Sequence, residues 1–355
     1  MLTELTDLEK LLLETLDKKW DFQRLSYNKG ISLDFIKEHL ELPWVWKSIA
    51  QREDLTWEYI QKNSDLPWDY GRLSGNKCVT FEIVKQNPDL PWNDFWLSEN
   101  PNITWKIVKS NKKRSWNHWM LVRNKSITWD IVKGSKKFDV FRMDFGLNPN
   151  INLEIMKKYY YLFNGDLYKF YSTFKFTCDD IRSNPQIPWD YEQLSRNPCF
   201  TWEIIQNNPD IHWHYRGISM NKNITFDIVK KNLDKPWHFD WIARKEDVTW
   251  EIIKSHPEFF DEWIHYDFAL NPNLSYDVIK SNPEINWDYG LISFNDFSQP
   301  YKLKCEKAAK LIQRNCLRWL NEPNTKDGKY GITARLGLKE LGKLSEGPFY
   351  PKENE

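Results

Sequence analysis

Glycine is scarce in this chain, 13 of 355 residues, and that leaves little room for flexible linkers or phosphate-cradling loops. No Gly-rich phosphate loop, nucleophile elbow or HExxH pattern occurs. Charge of one sign is also missing. Lys and Arg total 50 and so do Asp and Glu, which argues against a surface that grips phosphates over its whole extent. The five cysteines, Cys78, Cys178, Cys199, Cys305 and Cys316, include no CxxC pair and are odd in number, so a reducing compartment is expected. No run of about 18 apolar residues exists, and no spanning helix is expected. The first residues carry acids among their leucines and lack the basic start of a signal peptide. The expectation is a soluble intracellular protein.

Tryptophan, by contrast, is abundant, and half of the 20 stand in one register. Trp20, Trp44, Trp68, Trp92, Trp116, Trp189, Trp213, Trp237, Trp263 and Trp287 mostly follow one another at 24 residues. The long gap after Trp116 is three periods plus one residue, and Val140 and Gly165 hold the tryptophan position there. About twelve tandem copies therefore run from about 20 to about 300, a stacked array rather than a globular enzyme.

Each copy carries the signals of two short helices. The twelfth residue after the tryptophan is an N-cap type in every copy, as in Ser32, Thr80, Asn152 and Thr201. An acid usually stands two residues later, as in Glu82 and Glu203, where it suits the helix dipole. Asn-Pro steps such as Asn87-Pro88 and Asn208-Pro209 then stop the helix. The tryptophan, expected inside the next helix behind its proline, is followed five residues on by an apolar residue, and an Asn such as Asn76 or Asn100 ends that helix. Strands are rejected, because the caps and proline stops recur together and alternation is not sustained. The fold expected is all-α, an α-solenoid of about twelve short helix-turn-helix repeats with helical caps at both ends. Residues 1–19 form the N-terminal cap, 20–300 the solenoid, 301–322 a basic amphipathic C-terminal helix and 323–355 a loosely ordered tail. With layers about 8–10 Å apart, the row spans on the order of 100 Å before superhelical curvature.

Three features are candidates for function. The register tryptophans suit core anchors better than a base-stacking ladder, whereas Trp46, Trp96, Trp119 and Trp241 lie off register and are candidates for an exposed surface. A basic stripe stands seventeen residues past the tryptophan: Lys37, Lys85, Lys109, Lys133, Lys157, Arg182, Lys230, Lys254 and Lys280. Such a row can track a phosphate backbone, but the acid three residues earlier favours pairing along the helix. Residues 302–320 place Ile312, Cys316 and Trp319 on one face and Arg314 and Arg318 among the cations, with Ile312-Gln313 matching part of a calmodulin-binding IQ motif. Leu317 stands where that motif has an arginine, and a helix closing the last copy is the preferred reading. His212, His214 and His238 match no metal-ligand spacing, and no metal, cofactor or catalytic residue is expected.

The phrases Asn100-Pro-Asn-Ile-Thr-Trp-Lys-Ile-Val-Lys109 and Asn87-Pro-Asp-Leu-Pro-Trp92 resemble the tryptophan-rich tandem repeats of giant amoebal and algal DNA viruses. Ala308 to Gln313, followed by Asn321-Glu322-Pro323, is similar to a carboxy-terminal module of such proteins. The resemblance implies an origin in an infected cell and transfers no activity and no site residues. The function expected is a non-catalytic scaffold for protein–protein interaction. The alternative is a helical repeat that binds single-stranded nucleic acid along the basic stripe.

Overall fold

The computed structural model describes residues 5–163, 167, 170–171, 174–260 and 264–298. The chain divides into two units, Met1–Phe297 and Ser298–Glu355. Gly165, Trp263, the expected helix 301–322 and the tail lie outside the described residues. The described residues form a regular succession of short helices and no strand, the all-α repeat array that the caps and proline stops imply.

Each copy contributes two helices. The first starts at the Thr-type cap, as in Phe81–Gln86 and Trp105–Ser110. The Thr80 and Thr104 side chains accept from the amides three residues on, at 3.3 Å each. Thr128 departs from the pattern and makes no such bond. These helices stop after one and a half to two turns, at an Asn such as Asn87 or Asn208, where a proline follows.

The second helix differs from expectation in its start. It begins two residues after the tryptophan, as in Tyr70–Leu73 and Tyr191–Arg196. The residue after the tryptophan is the N-cap, and Asp69, Asn117, Asp190 and Asp288 accept the amide three residues on. The tryptophan therefore lies in the turn and drives its ring between helices. Its indole N–H donates to the carbonyl five residues earlier, at the end of the preceding helix. Trp44, Trp68, Trp92, Trp116, Trp213 and Trp237 all do so at 2.6 to 2.9 Å. A buried ring with a satisfied N–H is a sound core anchor, and Trp20, Trp44, Trp68, Trp116, Trp237 and Trp287 are buried.

Copies are joined by two side-chain ladders. The Asn that ends most second helices reaches back to carbonyls of the copy before it, and Arg52 and Lys245 stand in its place in two copies. Asn100 Nδ2 lies 2.8 Å from the carbonyls of Ser74 and Asn76 and 3.0 Å from that of Val79. Asn76, Asn124, Asn148, Asn221 and Asn271 repeat the arrangement. In about half of the copies a Ser two residues earlier accepts the amide that follows the next tryptophan: Ser74 from Asn93, Ser98 from Asn117, Ser195 from His214. Buried polar groups of this kind are tolerable only because each is satisfied.

The same bonds join the last copy to the first. Asn28 Nδ2 donates to the carbonyls of Ser293 and Asn295, at 2.9 and 3.0 Å. Asp21 N donates to Ser293 Oγ at 3.1 Å. Trp20 packs edge-on against Tyr289, as Trp44 does on Phe22 and Trp237 on Tyr215. The repeat unit thus closes on itself, and the curvature left open by the sequence is a full turn. The N-terminal helix Asp7–Glu14 packs on the first copy: Thr6 Oγ1 donates to Gly30 O, and Glu9 accepts from Ser32 N. It also serves as the capped first helix in front of Trp20, whose indole donates to Thr15 O. On its other side Glu14 binds Tyr276 and Lys280. The helix is therefore a member of the ring at the seam.

Candidate binding cleft on the concave face

The second helices of successive copies pack on one another, as α-helices Tyr191–Arg196 and Tyr215–Met220 do. Tyr27, Gln51, Gly75 and Glu99 all hold the seventh position, in four consecutive copies, and line one cavity of about 280 Å³. Successive second helices approach one another closely while successive first helices mostly do not, which puts the second helices on the inner, concave side of the closed ring.

That cavity adjoins a larger one at the seam, of about 730 Å³, which shares Tyr27 and Gln51 with it and adds Arg24, Asp54, Lys77 and Phe294. Tyr27 and Phe294 are 54% and 53% exposed, among the few large apolar side chains left open to solvent among the described residues. They come from opposite ends of the repeat unit.

Arginines lie flat on aromatic rings along this face. The Arg24 guanidinium stands 3.7 Å from the Phe294 ring centre and Arg72 3.7 Å from that of Trp96. Arg123 lies 3.8 Å from Trp119 and Arg244 4.3 Å from Trp241. Stacking covers one face of each guanidinium. Most of these cations are also tied to acids: Arg24 to Asp21, Arg244 to Asp267, and Arg123 more loosely to Asp144 at 4.0 Å. Arg72 makes no ion pair among the described residues. On the wall of the cleft, the Arg52 side chain, 1% exposed, holds the Asp54 carboxyl below its usual range by direct hydrogen bonds.

The off-register tryptophans divide accordingly. Trp96, Trp119 and Trp241 are half-buried under arginines on the concave face. Trp46, also a candidate for an exposed surface, instead packs edge-on against Trp68 at 5.3 Å and belongs to the core between copies. Its position, two past the tryptophan, is that of Tyr70 and Tyr215, which do the same.

The basic stripe stands elsewhere, on the first helices. All nine residues are exposed. Lys85, Lys133, Lys157 and Arg182 pair with the acids three residues earlier. Arg182 also binds Asp210, Lys280 binds Glu14, and Lys37 donates to Asn63 Oδ1. These side chains serve largely to link helix turns and neighbouring copies. The candidate partner residues Ile312, Gln313, Arg314, Arg318 and Trp319 lie outside the described residues.

The remaining polar chemistry is structural. His214 and His238 occupy N-cap positions without capping, and their amides donate to Ser195 and Ser219. Among the described residues no group of three His, Cys, Asp or Glu is placed to hold a metal ion, and no helix is long and apolar enough to cross a membrane. Burial pushes the Cys78 and Cys199 thiols up to about 11, away from thiolate reactivity.

The cleft residues Arg24, Tyr27, Arg72 and Phe294 went unnoticed in the sequence. Their signal was present but weak: they stand at positions that change from copy to copy, within a repeat whose other positions hold. No protein-family model matches this chain, and neither does any curated protein or solved structure.

Proposed function

We propose that this chain is a non-catalytic repeat scaffold that binds a protein partner on the concave face of its closed array. The observation that carries this reading is the cleft running across the seam from Phe294 through Tyr27 to Trp96. Its wall is built from positions that vary widely between copies, on a frame whose tryptophans, caps and ladder residues recur in most copies. A rigid frame with a variable concave surface is how helical repeats select a partner. The resemblance to repeats of giant DNA viruses makes an infected cell the place to look for that partner.

Single-stranded nucleic acid along the Lys/Arg stripe is the alternative. It has less support, because many of the stripe cations already have acidic or amide partners. A calmodulin-like partner at 301–322 is a third, separate possibility, tested by whether a peptide of those residues binds calmodulin in a calcium-sensitive way.

The experiment is affinity capture from infected-cell lysate with the full chain as bait, with and without nuclease. It is run beside a variant carrying Tyr27→Ala and Phe294→Ala. A defined protein that survives nuclease and is lost from the variant establishes the reading. Retained nucleic acid, with companions released by nuclease, moves function to the stripe.

A further inference from the structure

We infer that the cleft across the seam is a receptor for an extended acidic peptide, with Arg72 taking a carboxylate of that peptide. This rests on the protein-binding reading and names its chemistry.

The argument starts from Arg72. It stands four residues past Trp68, and its guanidinium is laid on the Trp96 ring at 3.7 Å. That contact orients the group and shields one face, while leaving the planar N–H edge without an acid among the described residues. An oriented, unpaired guanidinium fork suits a carboxylate, which it can hold through two parallel hydrogen bonds. The other cations of the cleft are already engaged: Arg24 by Asp21, Lys29 by Asp296, Lys77 by Glu53. Arg72 is thus the position where a guest's negative charge gains most.

The rest of the cleft suits peptide rather than nucleic acid. The Trp96 and Phe294 faces that would stack bases are occupied by arginines. Glu53 and Asp54 line the same walls paired to Lys77 and Arg52, and Glu99 adds an acid with no ion pair among the described residues, so a guest with one acid at Arg72 fits where a continuous phosphate backbone would be repelled. Tyr27, open to solvent and shared by both cavities, offers an apolar platform between Arg24 and Arg72. Those two arginines are two copies apart, about 16–20 Å if neighbouring helices lie about 8–10 Å apart. An extended strand at about 3.3 Å per residue covers that distance in about five or six residues. The guest is therefore a short extended segment with an acidic residue at the Arg72 end and an apolar side chain over Tyr27.

The test is selection of random dodecapeptides by the full chain, with an oligothymidine assayed in parallel across a salt series. Enrichment of peptides that combine an acid with an apolar residue is the expected result. Their binding should fall at least tenfold in Arg72→Gln and clearly in Arg72→Lys, which keeps the charge but loses the fork. Glu99→Gln, which removes a repelling charge from the same wall, should strengthen binding. Melting curves of each variant check that the fold is kept. Enriched peptides that lack acids, or that bind Arg72→Gln unchanged, overturn this inference and leave the protein-binding reading standing. Failure to enrich any peptide also overturns it. Oligothymidine binding that weakens steeply with salt, with no peptide enriched, overturns both.

Discussion

Trp20 and Tyr289 lie 269 positions apart in numbering, yet their rings meet edge-on, with centres 5.0 Å apart and planes at 71°. The contact repeats the one that Trp44, Trp68, Trp92 and Trp237 make with the aromatic residue two past the tryptophan before each, as in Trp92 on Tyr70. The seam is therefore made of the same kinds of interaction as the other joints. What it lacks is the covalent chain.

The seam has one position where it can be tested by itself. A Cβ on Gly30 would stand 2.8 Å from the Asp296 carbonyl oxygen and 2.9 Å from its Cα, both backbone atoms. Gly30→Ala should force the ends apart while leaving the other joints intact. The expected outcome is a larger radius of gyration by small-angle scattering, with far-ultraviolet circular dichroism little changed. An unchanged radius would mean that the seam relaxes around the added methyl group.

The register tryptophans are expected to carry most of the stability per residue. Trp68 is 7% exposed, its N–H is satisfied by Asn63 O at 2.7 Å, and Trp46 and Tyr59 pack against it. Trp68→Ala should cost about 3–5 kcal/mol, measured by urea unfolding. Arrays of stacked units need not unfold in one step, so the loss should appear first in probes near that copy.

The Asn ladder predicts a comparable penalty from a smaller side chain. Asn100 is fully buried and stands against three carbonyls of the preceding copy. Asn100→Ala removes little apolar area but strips buried acceptors of their donor, which should cost on the order of 2–4 kcal/mol. Asn100→Asp should be at least as harmful, because a carboxylate presents acceptors to acceptors. Chemical denaturation of the two variants checks the order.

Lys245 stands where the ladder has Asn, 24 residues past Asn221, and donates to its carbonyl at 2.6 Å. Burial pushes the amine down to about 8, with Asp247 opposing that shift. The ordinary value for a free lysine is about 10.4. Between those two values the unfolded chain binds the proton and the folded one does not. Stability should therefore rise as pH goes from about 8 to about 10, and stay level with respect to this group below 8. The full swing is on the order of 3 kcal/mol. Lys245→Asn should restore the ladder, raise the melting temperature at neutral pH and abolish that alkaline gain. Thermal melts across this range decide the point.

Much of the frame was legible in local sequence. Thr80 and its counterparts are capping residues because a hydroxyl at a helix start answers an orphan amide, and that rule acts within four residues. Asn-Pro stops act over one bond. The pairing of Lys85 with Glu82 was readable for the same reason, since helix geometry alone brings them together. The start of the second helix was misplaced because the turn after Pro67-Trp68 leaves the tryptophan ahead of its cap, Asp69. Periodicity does not distinguish the two arrangements. Spacing alone did not separate Trp46 from the other off-register tryptophans, because it hides that Trp46 stands two past Trp44, the position of Tyr70 and Tyr215.

The sequence by itself determined that this protein is a helical array of about twelve copies, because period, caps and stops are all short-range facts repeated down the chain. Only the tertiary structure decided that the array closes. Closure depends on the small rotation between neighbouring copies, which is set by how Trp, Asn and Ser side chains pack across each joint and accumulates over the whole row. No single copy encodes that sum. The concave cleft follows from closure, since Arg24, Tyr27 and Phe294 become neighbours only when Asn28 meets Ser293 and Asn295.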